Sequence, residues 1–493
     1  MMVYGLTWLF FGIFSVVCLL ISIFIVFYYS HKTEGEKLTK IVSILALFLP
    51  MIVFCIIPLD VYSLGGKTDR SESLKVVYYL IFSLILVFSF IFIPFAIFFF
   101  EAEDEETTTK KKFISALKFT TFTVIIVVIL LLVGLLVQPG SVPSDQKNEK
   151  WVKDLFGNEH RGDSMLLFPI SCMSVLGVLL FLLYMPVGFG LTPVSMVKKG
   201  ETGRSFEGGE QNRDLTRKEA LETKQLISGK SLSKKEKKEL DTLTQKARLL
   251  QRPKDDEEEN TKSGRMNKVI SCLSIGERIF GIFFILISLF ILACFMTSLI
   301  EKLINSKCGW RCGFLLNEPS KNPFDLTLLA LSKAFPIDMV FLSIISVYFL
   351  LTALSGIVRW QPRILCFKLW RLKGRRSDDQ ALLISALYLL LIAIMVMFEY
   401  HSIAPQYTTF GAQKNKAGKL CTLDDVGAYD GYCRMTEIAT IFARISVKMP
   451  FFAILYYACD WLFVILTAIY MIMAIKMKKK SSFAGNEDSD DDF

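Results

Sequence analysis

The chain has 493 residues, of which 53% are hydrophobic and 42 are Phe, and its mean hydropathy is +0.46. A composition this apolar excludes a soluble globular protein of this size. The net charge of +9 comes from 56 basic and 47 acidic residues that lie mainly between long uncharged runs. We therefore predict a polytopic membrane protein, and the uninterrupted apolar runs exclude a transmembrane β-barrel.

Nine apolar runs are long enough to cross the hydrocarbon core of a bilayer as α-helices. The predicted spans are 6–29, 41–64, 76–100, 113–137, 165–191, 273–300, 334–358, 379–403 and 449–475. The predicted fold class is therefore an all-α polytopic membrane protein with nine transmembrane helices. The predicted regions are a first bundle of five helices (1–191), a cytosolic basic helical insertion (192–272), a second bundle of four helices (273–475) and an acidic cytosolic tail (476–493).

An odd number of spans places the two termini on opposite sides of the membrane. No charge precedes the first span, and the residues that follow it include His31, Lys32, Lys37 and Lys40. The two sets of loops contain nearly equal numbers of Lys and Arg, but the segments assigned to the cytosol are shorter and carry basic runs next to the spans. The positive-inside rule therefore favours a lumenal N-terminus and a cytosolic C-terminus.

The insertion between the fifth and sixth spans is rich in Lys, Arg and Glu. Leu240, Leu243, Ala247 and Leu250 recur at the spacing of one helix face. Two interpretations remain open. The insertion is either a solvated helical hairpin close to the membrane or an arm that docks a partner.

Four of the eleven cysteines fall in two predicted lumenal loops, namely Cys308, Cys312, Cys421 and Cys433. An oxidising lumen would pair them, most simply within each loop, although the sequence leaves their connectivity open. The alternative for Cys308 and Cys312 is a metal or redox pair, but no second pair of ligands lies nearby in the sequence.

Common catalytic motifs are incomplete or absent in the sequence. The three histidines form no H-E-x-x-H frame, there is no G-x-S-x-G elbow, and Gly66-Lys67-Thr68 lacks the earlier glycine of a phosphate-binding loop. We expect no enzyme activity, no metal site and no nucleotide or nucleic-acid binding.

Ionisable residues within the spans are the strongest candidates for a functional site. Asp460 lies near the middle of the ninth span, where it either faces a cavity or forms a hydrogen bond between helices. Asp60, Asp338 and Glu399 fall at the predicted lumenal ends of three other spans, and His401 follows Glu399 closely. These groups either form a protonatable vestibule or cap and terminate their own helices.

Several strings of the chain resemble the limb-region-1-like, or lipocalin-interacting receptor, membrane family. They are IPLDV (57–61), IPFAIFFFE (93–101), ALKFT (116–120), LLVGLLV (131–137), GIFFILISLF (281–290), FPID (335–338), SGI (355–357), WRLKGRR (370–376), QALL (380–383) and SIAPQYTTFGAQ (402–413). The strings keep their order over most of the chain, and SIAPQY is the most specific of them. The resemblance also covers the division into five and four spans, the basic insertion and the acidic tail.

The resemblance is to the lysosomal members of that family, and it implies a lysosomal membrane protein required for export of cobalamin to the cytosol. It implies an escort or chaperone that carries a half-size ABC transporter of the D subfamily from the endoplasmic reticulum to the lysosome. Cobalamin is then a cargo, and no covalently bound cofactor is expected. Membrane lipids are the other expected contact.

Two further patterns bear on this role. Glu222, Leu226 and Ile227 match an acidic dileucine sorting signal of the kind that endocytic adaptors bind at the plasma membrane, although such short patterns also occur by chance. His401 is either a cobalt ligand or an ordinary interfacial histidine. The sequence leaves open two alternative functions, a proton-coupled cobalamin carrier or channel and an endocytic receptor.

Overall fold

The computed structural model describes residues 2–30, 37–64, 69–101, 109–136, 166–198, 264–306, 318–364, 379–426, 433–448 and 450–476, with the short pieces 315, 367–368, 372 and 377 between them. Within these residues, nine helices are long and apolar enough to cross a membrane. They begin and end within a few residues of the predicted spans at most boundaries. The described part of the chain thus contains the nine candidate membrane helices that the sequence predicts.

The helices of the larger segments are α1 (Met2–Tyr29), α2 (Lys37–Ser63), α3 (Asp69–Val87), α4 (Ile93–Glu101), α5 (Thr109–Leu136), α6 (Leu166–Lys198) and α7 (Gly264–Asn305). They continue with α8 (Pro323–Leu331), α9 (Ile337–Trp360), α10 (Asp379–Ile403), α11 (Pro405–Phe410), α12 (Glu437–Lys448) and α13 (Pro450–Lys476). One departure from an all-α fold is a two-residue antiparallel ribbon after α9, in which β1 (Arg363–Ile364) pairs with β2 (Phe367–Lys368).

The chain divides into two compact units. One unit comprises Met1–Gly190 and Leu289–Tyr470, and the other comprises Leu191–Ser288 and Met471–Phe493. In the second unit, the Lys198 ammonium donates to the carbonyl oxygens of Ala474 (2.5 Å) and Ile475 (3.1 Å) near the end of α13. A cation at that position satisfies carbonyls that the helix leaves without an internal partner.

Within the first unit, α10 is the most deeply buried membrane helix. In its most apolar window, 94% of the residues are buried, and the helix packs against α2, α4, α9 and α11. A helix enclosed on all sides has no need of a polar stripe, which explains its continuous apolar sequence. The corresponding windows of α1 and α5 are only 22% and 17% buried, as expected for helices that face lipid.

The third span is interrupted by a π-helical turn, Phe88–Phe92, between α3 and α4. Pro94 follows it and has no N–H, so it cannot donate to the carbonyl of Phe90 as a normal helix residue would. The Thr123 hydroxyl of α5 donates to that carbonyl instead, at 2.5 Å. An interhelical bond therefore replaces the missing bond within the helix, which a backbone carbonyl inside a bilayer requires.

Glycines allow α6 and α9 to approach closely. A Cβ atom added to Gly356 would lie 2.0 Å from the carbonyl oxygen of Tyr184, and one added to Gly188 would lie 1.9 Å from that of Thr352. The two backbones are thus in direct contact on both sides of the crossing, and no residue larger than glycine fits at either position without displacing a helix.

Short elements lie between the membrane helices of the first unit along the chain. They are α8, α11, the 3-10 turn Leu423–Asp425 and α12, and Cys421 forms a disulfide with Cys433 among them. This pairing lies within one loop, as we expected. Cys308 and Cys312 lie outside the described residues. So do residues 199–263, which include Glu222, Leu226 and Ile227 of the sorting pattern; α6 and α7 extend into the segment assigned to the insertion from either side.

Candidate functional site

An ion pair lies between two membrane helices of the first unit. The Lys302 ammonium, near the end of α7, is 2.9 Å from Oδ2 of Asp460 in α13. Their side chains are only 5% and 2% exposed. Removing two charges from water is costly, so each charge depends on the other and on nearby hydrogen bonds. Asp460 therefore faces the interior of the helix bundle.

Serines of two helices extend this ion pair. The Ser402 hydroxyl of α10 accepts from the Lys302 ammonium at 2.7 Å and donates to Oδ2 of Asp460 at 3.2 Å. The Ser298 hydroxyl of α7, one turn before Lys302, donates to the carbonyl oxygen of Ser402. Three helices are thus joined by one polar network, which fixes the positions of α7, α10 and α13 relative to each other within the unit.

Glu399 lies on α10 beside this network. It is 1% exposed, and neither of its carboxyl oxygens accepts a hydrogen bond from a described residue. Its carboxyl group interacts electrostatically with Asp460 and Lys302. All three residues line a cavity of about 30 Å³, together with Phe398, Ser402, Ser446, Ala453, Tyr456 and Tyr457. This volume accommodates about one or two water molecules.

Asp60, at the end of α2, caps a different helix. Its carboxylate accepts hydrogen bonds from the backbone N–H groups of Glu437 (3.3 Å) and Ile438 (3.0 Å), the first residues of α12. The first N–H groups of a helix have no internal partner, and a carboxylate there also complements the helix dipole. Asp60 thus anchors α12 to the membrane bundle.

Asp338, in the first turn of α9, binds two phenols. It accepts from the hydroxyls of Tyr62 (2.9 Å) and Tyr407 (2.8 Å) and is fully buried. Burial, with the neighbouring Asp338 carboxyl, raises the pKa of Tyr407. The Tyr407 hydroxyl therefore remains a donor, and the interaction ties α2, α9 and α11 together.

Asp325, in α8, was not among the predicted site residues. Its two carboxyl oxygens accept from the backbone N–H groups of Gln406 and Tyr407, both at 2.8 Å, at the start of α11. Burial raises the pKa of Asp325 to about 7, although these two N–H groups favour the charged form. The chain breaks helical conformation at Ala404 within SIAPQY, and Asp325 caps the short helix that follows.

Glu301, next to Lys302, binds the segment before α8. Its carboxylate accepts from the hydroxyl of Ser320 (2.7 Å) and the backbone N–H of Lys321 (2.6 Å). His401 contacts α10 itself and α12. Its Nδ1 pairs with the carbonyl oxygen of Met397 at 3.0 Å, and its ring packs edge-on against Phe442.

The five predicted site residues therefore fall into separate groups. Glu399 and Asp460 line one cavity. Asp60 contacts the start of α12, Asp338 contacts two tyrosines and His401 contacts Phe442. Among the described residues, no group of three or more His, Cys, Asp or Glu side chains is arranged to hold a metal ion.

Comparison with protein families identifies the chain. The model of the LMBR1-like membrane protein family matches residues 7–275, more than half of the sequence. The chain belongs to this family.

Three relatives match it over nearly their whole length. The "Probable lysosomal cobalamin transporter" of Dictyostelium discoideum is 31% identical over 96% of this chain and 96% of the relative. Proteins named "Lysosomal cobalamin transport escort protein LMBD1" from Danio rerio and Homo sapiens are each 28% identical, over 97% and 98% of this chain and 95% of each relative. No solved structure gives a significant match.

In this LMBR1-like chain, sequence reasoning missed Lys302 because we placed it just beyond the end of a span. The signal was present: Leu299 and Ile300 precede Glu301-Lys302, and Leu303 and Ile304 follow them, so the apolar helix continues past the charges. A lysine enclosed by apolar helix turns requires a buried acidic partner. Asp460, the only acidic residue of its span, was the available partner.

Proposed function

We propose that this chain is a lysosomal membrane protein of cobalamin export and that it acts as an escort for a transporter without conducting cobalamin itself. The role is non-catalytic. Its main support is the match, over nearly the full length, to relatives named as lysosomal cobalamin transport escort proteins. A relationship of this extent includes all nine candidate membrane helices, so it is not confined to one module.

The geometry around Asp460 supports an escort better than a conduit. The cavity there measures about 30 Å³, whereas pockets that bind even drug-sized ligands measure roughly 300–1,000 Å³. Asp460 is engaged by Lys302 and Ser402, and Asp60, Asp325 and Asp338 are each held by two donors. These polar residues connect helices to one another, as structural contacts do.

The partner we propose is a half-size ABC transporter of the D subfamily, which this chain accompanies from the endoplasmic reticulum to the lysosome. An escort that supplies no energy needs a partner that does. The proposed orientation has a lumenal N-terminus and a cytosolic C-terminus. The disulfide between Cys421 and Cys433 supports it, since disulfides persist in an oxidising compartment and these residues lie in a loop assigned to the lumen.

One observation favours a second candidate, a proton-coupled cobalamin carrier. Glu399 is buried beside a cavity without a hydrogen-bond partner among the described residues, a property of ion-coupling sites in transporters. Under this alternative, a second conformation would have to open the cavity by more than tenfold in volume to reach the range of ligand pockets.

The test is made in cells that lack the endogenous relative and express the tagged ABC transporter. We expect the transporter to stay in the endoplasmic reticulum and cobalamin to accumulate in lysosomes, and this chain to reverse both effects. Replacing Leu226 and Ile227 with Ala should abolish delivery, while the matched control Leu215→Ala with Leu232→Ala, in the same insertion, should not. Normal lysosomal delivery of the transporter without this chain would contradict the escort role.

A further inference from the structure

The cavity between Lys302, Glu399 and Asp460 contains buried acceptors that no described donor satisfies. Both carboxyl oxygens of Glu399 and Oδ1 of Asp460 lack a hydrogen-bond donor among the described residues. Of the described residues that line this cavity, only Lys302 supplies a positive charge. A buried acceptor without a donor is costly, and in native proteins it commonly marks a bound ligand or a functional group.

Charge counting gives the same conclusion. The Lys302 ammonium balances one of the two carboxylates, and the second would leave an uncompensated charge inside the membrane bundle. The cost of such a charge is several kcal/mol even after the surroundings relax. Carboxyl groups that lie close together in a site from which water is excluded avoid this cost by sharing one proton.

We propose that Glu399 and Asp460 together bind one exchangeable proton opposite the Lys302 ammonium. The proton supplies the missing donor: a protonated Glu399 donates to an Asp460 oxygen, and the cluster becomes neutral. This inference does not depend on cobalamin and holds whichever solute the partner carries. A proton site here would make the junction of α7, α10 and α13 responsive to the acidity of the compartment.

The groups that face the pair come from four helices. α7 contributes Lys302, and α13 contributes Tyr456 and Tyr457. The Cys459 thiol, next to Asp460 in the chain, also lies near the two carboxyl groups. α12 contributes Ser446, and the Tyr456 hydroxyl bonds to Ser174 of α6. Lys302 is thus the sole basic residue in the described part of this lining.

A proton fits these surroundings better than a metal cation. The Lys302 ammonium already occupies Oδ2 of Asp460 and would repel a second cation in a cavity that holds about one or two waters. Hard cations also require about six oxygen ligands, and Ser402 and Tyr456 are already engaged with other partners.

The test is infrared difference spectroscopy of the full-length chain in lipid nanodiscs, stepped between about pH 5 and about pH 8. Asp325, whose pKa is about 7, also titrates in this range, so its carbonyl band is first identified by its loss in Asp325→Asn. We expect a second carbonyl band to change in the wild type and to disappear in Glu399→Gln. Glu399→Asp, which keeps a titratable group, should shift this band. Glu101→Gln, at the exposed end of α4, is the matched control and should leave it unchanged.

Three results would overturn the proposal. The first is a wild-type spectrum from which Asp325→Asn removes every protonated carboxyl band that changes with pH. The second is a band that persists at full amplitude in Glu399→Gln. The third is thermal stabilisation of the wild type by sodium chloride relative to choline chloride that Glu399→Gln removes, which would identify a cation site. The comparison of the wild type with Asp325→Asn tests the first result even if Glu399→Gln fails to fold, because both chains retain Glu399 and Asp460.

Discussion

The contact between Lys302 and Asp460 provides the sharpest test of the site. At 2.9 Å, the two charges attract by about 6 kcal/mol if the effective dielectric constant is about 20. Both side chains are buried, and Glu399 lies close to them. The cluster therefore has two carboxyls for one ammonium, and its response to substitution should be asymmetric.

Lys302→Met removes the cation of this cluster and leaves both carboxyls without a counter-charge. We expect it to lower the free energy of unfolding by about 3–5 kcal/mol, the usual cost of breaking a buried ion pair. Asp460→Asn is predicted to cost less, about 1–3 kcal/mol, because Glu399 remains as a counter-ion for the ammonium and only hydrogen bonds are lost. The double variant Lys302→Met with Asp460→Leu should recover most of the loss.

The assay is a denaturant titration of the purified chain in detergent micelles, followed by far-UV circular dichroism. Glu101→Gln serves as the exposed control. If Asp460→Asn costs as much as Lys302→Met or more, Glu399 does not serve as the second counter-ion and the arrangement of charges is wrong. A double variant that loses as much stability as Lys302→Met alone, or more, would show that the two residues do not stabilise each other.

Three further predictions concern other positions. Burial raises the pKa of Asp325 from 3.8 to about 7, so the folded chain binds this proton more tightly than the unfolded chain. Stability should therefore fall as the pH rises from 3.8 to about 7, by at most about 1.4 kcal/mol per pH unit, and Asp325→Asn should make the melting temperature depend less on pH. Thr123→Val should lower the free energy of unfolding by about 1–3 kcal/mol, because the carbonyl oxygen of Phe90 loses its donor. The control Thr121→Val should have little effect, because the exposed Thr121 hydroxyl bonds only within its own helix. Equal losses in the two variants would contradict the role of the π-helical turn. Gly356→Ala should destabilise the protein at the crossing of α6 and α9, whereas Gly276→Ala, where a Cβ would meet open space, should stabilise it by up to about 1 kcal/mol. Shifts of the melting temperature in the same direction for both variants would contradict the close packing at Gly356.

The membrane helices could be predicted because length and hydropathy determine them. The run before Tyr407, in particular, is apolar on every side, and the structure encloses it as α10, the most buried of the nine candidate membrane helices. In lipid, each such segment satisfies its own backbone hydrogen bonds. The prediction therefore did not depend on tertiary contacts.

The site could be predicted only in part. Asp460 and Glu399 stood out because each is an ionisable residue within a span. Lys302 and Asp325 did not, since their partners lie 158 and 81 residues away in the sequence and only the tertiary fold brings them together. The pattern likewise could not show that Asp60 caps α12, because α12 is a short helix outside the spans.

The helix ends illustrate the same limit. The string SIAPQY was the most specific feature of the family resemblance, but its physical role emerges only with Asp325 in place. Pro405 begins a new helix after Ala404, and the carboxylate of α8 binds its first N–H groups. A local sequence shows where a helix is interrupted, and a distant residue determines how the free ends are satisfied.

The most direct test of the central claim is cobalamin efflux from cobalamin-loaded proteoliposomes that contain this chain alone, with an acidic interior and a neutral exterior. The account predicts no efflux above protein-free liposomes, and efflux only when the ABC transporter and ATP are supplied as well. Efflux through this chain alone that Glu399→Gln abolishes would show that the chain is itself a proton-coupled carrier and would contradict the account.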